Sequence, residues 1–206
     1  MTHHLLGVVG LWAALASGPA LAADPLPASP VKVPMACSRG PAAAFEALVT
    51  MPPSAAPGAL VTVRIDSVPS GTVSHFGLFS IHGMITHYLL PAGTSYVEGS
   101  ARLLPDTGTA NACPGAKVWH DEAGLHLALP AHVRNGSSYT PPSFEFTMRV
   151  DDAAHSELEL QFAHYEVKAD ALLVGTVLTT CAPSPSPYTI ARLRISTEGA
   201  DAGRAP

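Results

Sequence analysis

From Phe45 onward the chain alternates apolar and polar positions with a period of two, the spacing of a strand that buries one face. Phe45, Ala47, Val49 and Met51 alternate with Glu46, Leu48 and Thr50 until Pro52-Pro53 stops the run. Val61, Val63 and Ile65 then share one face, with Thr62, Arg64 and Asp66 on the other, between the turns Pro57-Gly58 and Pro69-Ser70-Gly71. Residues 73–90 are extended but interrupted by Gly77 and Gly83, which predicts two short strands or one strand bulged at a glycine. After Pro91-Ala92-Gly93, residues 95–104 resume extended structure. Residues 117–120 and 125–129 form a predicted hairpin about Asp121-Glu122-Ala123-Gly124, with Pro130 ending its second arm. Phe144, Phe146, Met148 and Val150 make a regular strand, as do Leu158, Leu160 and Phe162 against Glu157, Glu159 and Gln161. Residues 172–180 are a more continuously apolar run, as a buried strand is, and residues 188–195 supply a last strand after Pro183, Pro185 and Pro187. Helical spacing competes only over residues 42–48. About nine strands at short intervals, with no alternation of strand and helix, predict an antiparallel β-sandwich.

Composition sharpens this picture. Seventeen glycines and twenty prolines in 206 residues exceed the usual share and favour a loop-rich β protein over a helical bundle. The balance of 11 Lys+Arg against 16 Asp+Glu, net −5, argues against binding nucleic acid by phosphate neutralisation. Residues 1–22 carry no Asp, Glu, Lys or Arg. Their apolar run, residues 5–16, is too short to span a bilayer, and Ala20-Leu21-Ala22 offers the small-x-small pattern of a cleavage site. Residues 1–22 therefore read as a signal peptide, although His3 and His4 stand where Lys or Arg is usual. Residues 23–36 read as an extended, proline-rich leader, residues 37–195 as the sandwich domain and residues 196–206 as a disordered tail. No later apolar run is long enough to predict a transmembrane segment after cleavage.

Export places Cys37, Cys113 and Cys181 in an oxidising compartment, where three cysteines suggest one bridge and one free thiol. Three pairings are open; Cys37–Cys181 is favoured because the two bracket the periodic segment and tie its first strand to its last. Cys113 then remains as a free, inert thiol in the turn-like Asn111-Ala112-Cys113-Pro114-Gly115.

Several strand-edge motifs resemble a family of uncharacterised secreted actinobacterial proteins with an immunoglobulin-like β-sandwich. They are the Cys37 opening, Pro57-Gly58 before the Val61/Val63/Ile65 strand, Pro69-Ser70-Gly71-Thr72 after it, the segment from Leu90 to Ser100, and Thr179-Thr180-Cys181. The resemblance spans roughly residues 31–195 and implies a fold and an exported location, but no activity. Cys113 and the many histidines depart from it.

Histidine is the chemically unusual residue, with ten in the chain. His82, His87, His120 and His126 are the first candidates for a zinc or copper site, although nothing in their spacing forces three of them to converge. His120 and His126 flank the predicted hairpin turn; His164 stands beside Tyr165 and Glu166. Hydrolase patterns are weak: there is no G-x-S-x-G elbow, and Glu157 and Glu159 fit the wet face of a sheet better than a glycosidase pair. Asp151, Asp152 and Ser156 around His155 read as an acidic turn, and the Asn135-Gly136-Ser137 sequon as a turn. Trp119 is the one tryptophan beyond residue 22, and a core anchor is the favoured place for it. The reading that follows is a secreted or cell-envelope, non-catalytic binding or structural module for an extracellular or envelope partner. The alternative is an extracytoplasmic metal-binding protein.

Overall fold

The computed structural model describes residues 29–38, 44–68, 79–104, 111–132, 142–151, 156–171 and 175–196. The signal peptide expected over residues 1–22, the sequon at Asn135, and His75 and His155 lie outside them. Fourteen strands occur among the described residues: β1 (Val31–Cys37), β2 (Ala44–Thr50), β3 (Ser54–Ala55), β4 (Leu60–Val68), β5 (Phe79–Leu90), β6 (Thr94–Tyr96), β7 (Arg102–Leu104), β8 (Asn111–Ala112), β9 (Lys117–Asp121), β10 (Gly124–His132), β11 (Ser143–Val150), β12 (Glu157–Ala171), β13 (Gly175–Pro183) and β14 (Tyr188–Ile195). The all-β class is as expected, and the count exceeds nine because short strands form wherever a turn returns the chain to a sheet.

The strands build two layers. The first runs β8-β7-β11-β4-β2-β1, with β6 also paired to β11. The second runs β1-β13-β12-β5-β10-β9, with β14 beside β12 and β3 parallel to β14. The first strand belongs to both: Val31–Pro34 pair with β2, then Met35–Cys37 pair with β13. The leader expected over residues 23–36 thus overlaps a paired strand. Cys37 and Cys181 face each other across the β1–β13 register and are joined by a disulfide. It closes a junction of only three residue pairs, and β13 is the next-to-last strand rather than the last.

The predicted alternation drives the packing. Val61, Val63 and Ile65 of β4 and Phe144, Phe146 and Met148 of β11 are buried, while Arg64 and Arg149 between them face solvent. Across the layers the Phe45 ring stacks on Phe162 at 4.9 Å and Tyr88 meets Phe146 at 6.2 Å, while within the second sheet Tyr88 meets its neighbour Phe162 edge-on at 5.9 Å. The two contacts that join β2 to β12 and β11 to β5, with the Tyr88–Phe162 pair between them, are the centre of the sandwich. Turns follow the Pro-Gly rule: Gly58 and Gly115 adopt φ of 83° and 89°, and Ala59 and Ala116 donate back to Ala56 and Cys113. Only glycine takes that backbone conformation readily.

Three expectations need correction. The hairpin of β9 and β10 forms about Glu122-Ala123, but β10 does not stop at Pro130; it continues to His132. Pairing with β9 covers only Gly124–Ala128, so at Pro130 no strand among the described residues pairs that side and a missing N–H is tolerated. Residues 172–180 are not a continuously buried strand: the first residues of β13 are exposed, with Leu178 at 57%, because β1 covers only its far end. Trp119 is not a core anchor; it lies 38% exposed on the edge strand β9. Phe45, Phe144, Phe146, Phe162 and Tyr88 fill that role instead.

Candidate functional site

The outer face of the second sheet carries a row of histidines, and register explains how they meet. Directly opposed residues in antiparallel strands point to the same face. Trp119 on β9 opposes His126 on β10, and His87 on β5 opposes His164 on β12. Between the two pairs Ala128 opposes both Lys117 and His87. The rings form a chain of contacts: Trp119 stacks on His126 at 4.7 Å, His87 meets the Trp119 ring edge-on at 5.8 Å, and His87 stacks on His164 at 4.0 Å with 15° between planes.

His164 reaches this face because β12 is bulged. Phe162 opposes Tyr88 and His164 opposes His87, so Ala163 is an extra residue in the ladder. A strand without the bulge would send His164 to the core side with Leu158, Leu160 and Phe162. The inserted residue reverses the parity, so Tyr165, Val167 and Ala169 are buried while His164, Glu166 and Lys168 turn outward. A second slip occurs where Lys168 opposes Gly83 and Ala169 opposes Ile81, which skips His82. The strand is therefore single and bulged beside a glycine, the second of the two forms expected for residues 73–90; residues 73–78 lie outside the described residues.

Two carboxylates end the row. At one end Asp121 accepts a 2.8 Å hydrogen bond from His126 Nε2 and another from the Ala123 N–H, and these contacts hold its carboxyl below the ordinary range. At the other end Glu166 Oε1 lies 3.9 Å from Nε2 of both His87 and His164. The donor atoms of His87, His164 and Glu166 all fall within 4.8 Å of one another. His87 is 8% exposed, and neither of its ring nitrogens has a hydrogen-bond partner among the described residues. Burial, then the neighbouring His164 and His126, push its pKa down to about 4. Burial also lowers His164, against the upward pull of Glu166. Both shifts favour the neutral imidazole, the form that offers a lone pair to a ligand.

Of the residues singled out in the sequence, His87 and His126 lie in this row. His120 opposes Leu125 and projects to the other side of the hairpin from His126, so the two do not share a site. The His82 side chain lies outside the described residues. His164 and Glu166 were not among the first candidates. A signal for them does exist in the sequence: the apolar positions move from 158, 160 and 162 to 165, 167 and 169, a slip of one that marks the bulge.

The remaining candidates take ordinary structural places. Glu159 pairs with Arg192 at 3.0 Å and accepts from Thr189, and Glu157 lies 4.0 Å from the same arginine. Asp151 is bound to Arg149 at 2.6 Å. Cys113 is a buried free thiol whose Sγ donates to the Pro130 carbonyl, and burial raises its pKa.

No family model matches the chain, and no curated protein matches its sequence. Three solved structures are similar in outline. A cohesin module from a family 33 glycoside hydrolase of Clostridium perfringens has 11% identity and a TM-score of 0.42 over 73% of this chain and 95% of that one. A protein of Corynebacterium diphtheriae described as membrane anchored has 15% identity and a TM-score of 0.44 over 82% of this chain and 38% of that one. The collagen-binding domain of a Staphylococcus aureus adhesin has 8% identity and a TM-score of 0.32 over 66% and 87%. Likeness at this level does not reach to partner or activity.

Proposed function

We propose that the chain is an exported, non-catalytic binding module, secreted or held at the cell envelope, whose contact surface is the free edge of the second sheet. One observation carries the reading. All five residues of β9 are exposed, and no strand pairs its outer side among the described residues. Trp119 stands on that edge with its indole braced against His126 and His87. A braced, half-exposed tryptophan presents a large apolar area at little entropic cost, as binding hot spots do. The unpaired backbone of an edge strand recognises an extended segment of a partner polypeptide by adding a strand. Export is supported by the composition of residues 1–22 and by the Cys37–Cys181 disulfide. No helix among the described residues is long and apolar enough to cross a membrane.

Selection of displayed extended peptides against the exported chain tests the reading. Peptides that bind are expected to shift Trp119 emission, which is unambiguous because Trp12 falls within residues 1–22. Trp119→Ala is expected to weaken them by more than about tenfold, the usual scale for losing an aromatic hot spot. Equal binding by the variant, or turnover of a selected peptide, overturns the proposal.

A further inference from the structure

We infer that His87, His164 and Glu166 form a binding site for one divalent transition-metal ion of the zinc type on the outer face of the second sheet. The inference does not rest on the edge of β9 as a docking surface. Three observations support it together.

The donor set is chemically apt. Two imidazoles and one carboxylate are the protein ligands of a zinc site that keeps a fourth position for water or another ligand. The distances are close to a bound arrangement without being one. A tetrahedral ion with ligands at about 2.0–2.2 Å holds its donor atoms about 3.4 Å apart. Glu166 Oε1 stands 3.9 Å from each Nε2, so each gap must close by about half an ångström. The stacked imidazoles must also tilt apart so that their lone pairs converge. His164 and Glu166, at 30% and 28% side-chain exposure, have room to make that movement, whereas His87 at 10% is the fixed partner.

The second observation is the unmet valence of His87. A buried imidazole with no hydrogen bond at either nitrogen carries a desolvation cost that an ion at Nε2 relieves in part. Third, the scaffold is rigid where it must be. His87 sits on β5, paired on both sides by β10 and β12, and the Ala163 bulge aims His164 at it. Bulges recur where a side chain must be re-aimed for function.

The test is calorimetric titration of the tag-free full chain with Zn2+, alongside visible absorption with Co2+ as the spectroscopic substitute. One equivalent of Zn2+ is expected to bind, and Co2+ is expected to give the intense d–d bands of a low-coordinate nitrogen–oxygen site. His164→Ala and the conservative Glu166→Gln are each expected to weaken Zn2+ binding by at least about 100-fold, since even loss of groups behind a ligand costs 10–100-fold. His120→Ala should leave it unchanged, because His120 faces the other side. Circular dichroism melts of Glu166→Gln show whether the fold is intact. No binding at millimolar Zn2+, or equal binding by wild type and folded Glu166→Gln, overturns the assignment. Equal binding would mean that histidines elsewhere, such as His3 and His4, capture the metal. Peptide selection reads Trp119 and not the metal, so the two proposals fail separately.

Discussion

Tyr88 shows how a single atom sets an energetic preference. Its ring is fully buried among Phe146 and Phe162, yet its hydroxyl has no hydrogen-bond partner among the described residues, and burial raises its pKa. Burying an unpaired hydroxyl costs about 1–3 kcal/mol. Tyr88→Phe keeps the ring contacts and removes the cost, so the variant is expected to be more stable by about 1 kcal/mol in urea unfolding; a loss of stability would reveal a hydrogen bond to Tyr88. At the β9 end of the histidine row, the Asp121 carboxyl is depressed first by its hydrogen bond from His126 and then by the Ala123 N–H. A depressed native pKa means the interaction is fully present above the unfolded carboxylate value, about 3.9, and is lost as pH falls through the lower native value. Replacing His126 with asparagine is expected to move Asp121 up toward the ordinary range, read by carboxyl-carbon NMR titration. Cys113 is a third residue-scale case: buried, bonded to Pro130 and raised in pKa, it should resist alkylation at pH 8 until the chain is unfolded.

At the scale of elements, strand junctions and register govern the outcome. β1 links the two sheets, but its hold on β13 is three residue pairs with the Cys37–Cys181 bond at the last of them. The bond spans 144 residues of sequence. Chain-entropy reasoning gives a closed loop of this size about 5 kcal/mol, of which native proteins usually realise 2–5. Replacing both cysteines with alanine is expected to lower the urea midpoint accordingly, and an unchanged midpoint would show that β1 stays docked by its pairing alone. The hairpin of β9 and β10 was legible from Asp121-Glu122-Ala123-Gly124 because turn chemistry is local. The extent of β10 past Pro130 was not, since it depends on where β9 ends beside it.

For the whole molecule, the two layers are coupled through a few aromatic contacts. Phe45 and Phe162 stack from opposite sheets and are both buried. Phe162→Ala is expected to cost about 3–5 kcal/mol. A double-mutant cycle with Phe45→Ala should return a coupling of about 0.5–1.5 kcal/mol, the worth of an aromatic pair beyond its burial; additive effects would place the coupling elsewhere. The sequence by itself determined the class of fold, the buried face of β4 and β11, the Pro-Gly turns and the pairing of β9 with β10. Each of these follows from a period of two or from a turn that a few neighbouring residues encode. It also marked the bulge in β12, as a one-position slip from Phe162 to Tyr165. Tertiary structure alone decided which strands are neighbours, and hence which histidines meet. His87 and His164 are 77 positions apart in sequence and stack only because β5 and β12 lie side by side in a register that Ala163 shifts. Trp119 faces solvent for the same kind of reason: among the described residues β9 ends the sheet, and an edge position is a property of the whole strand order and not of the residues within the strand.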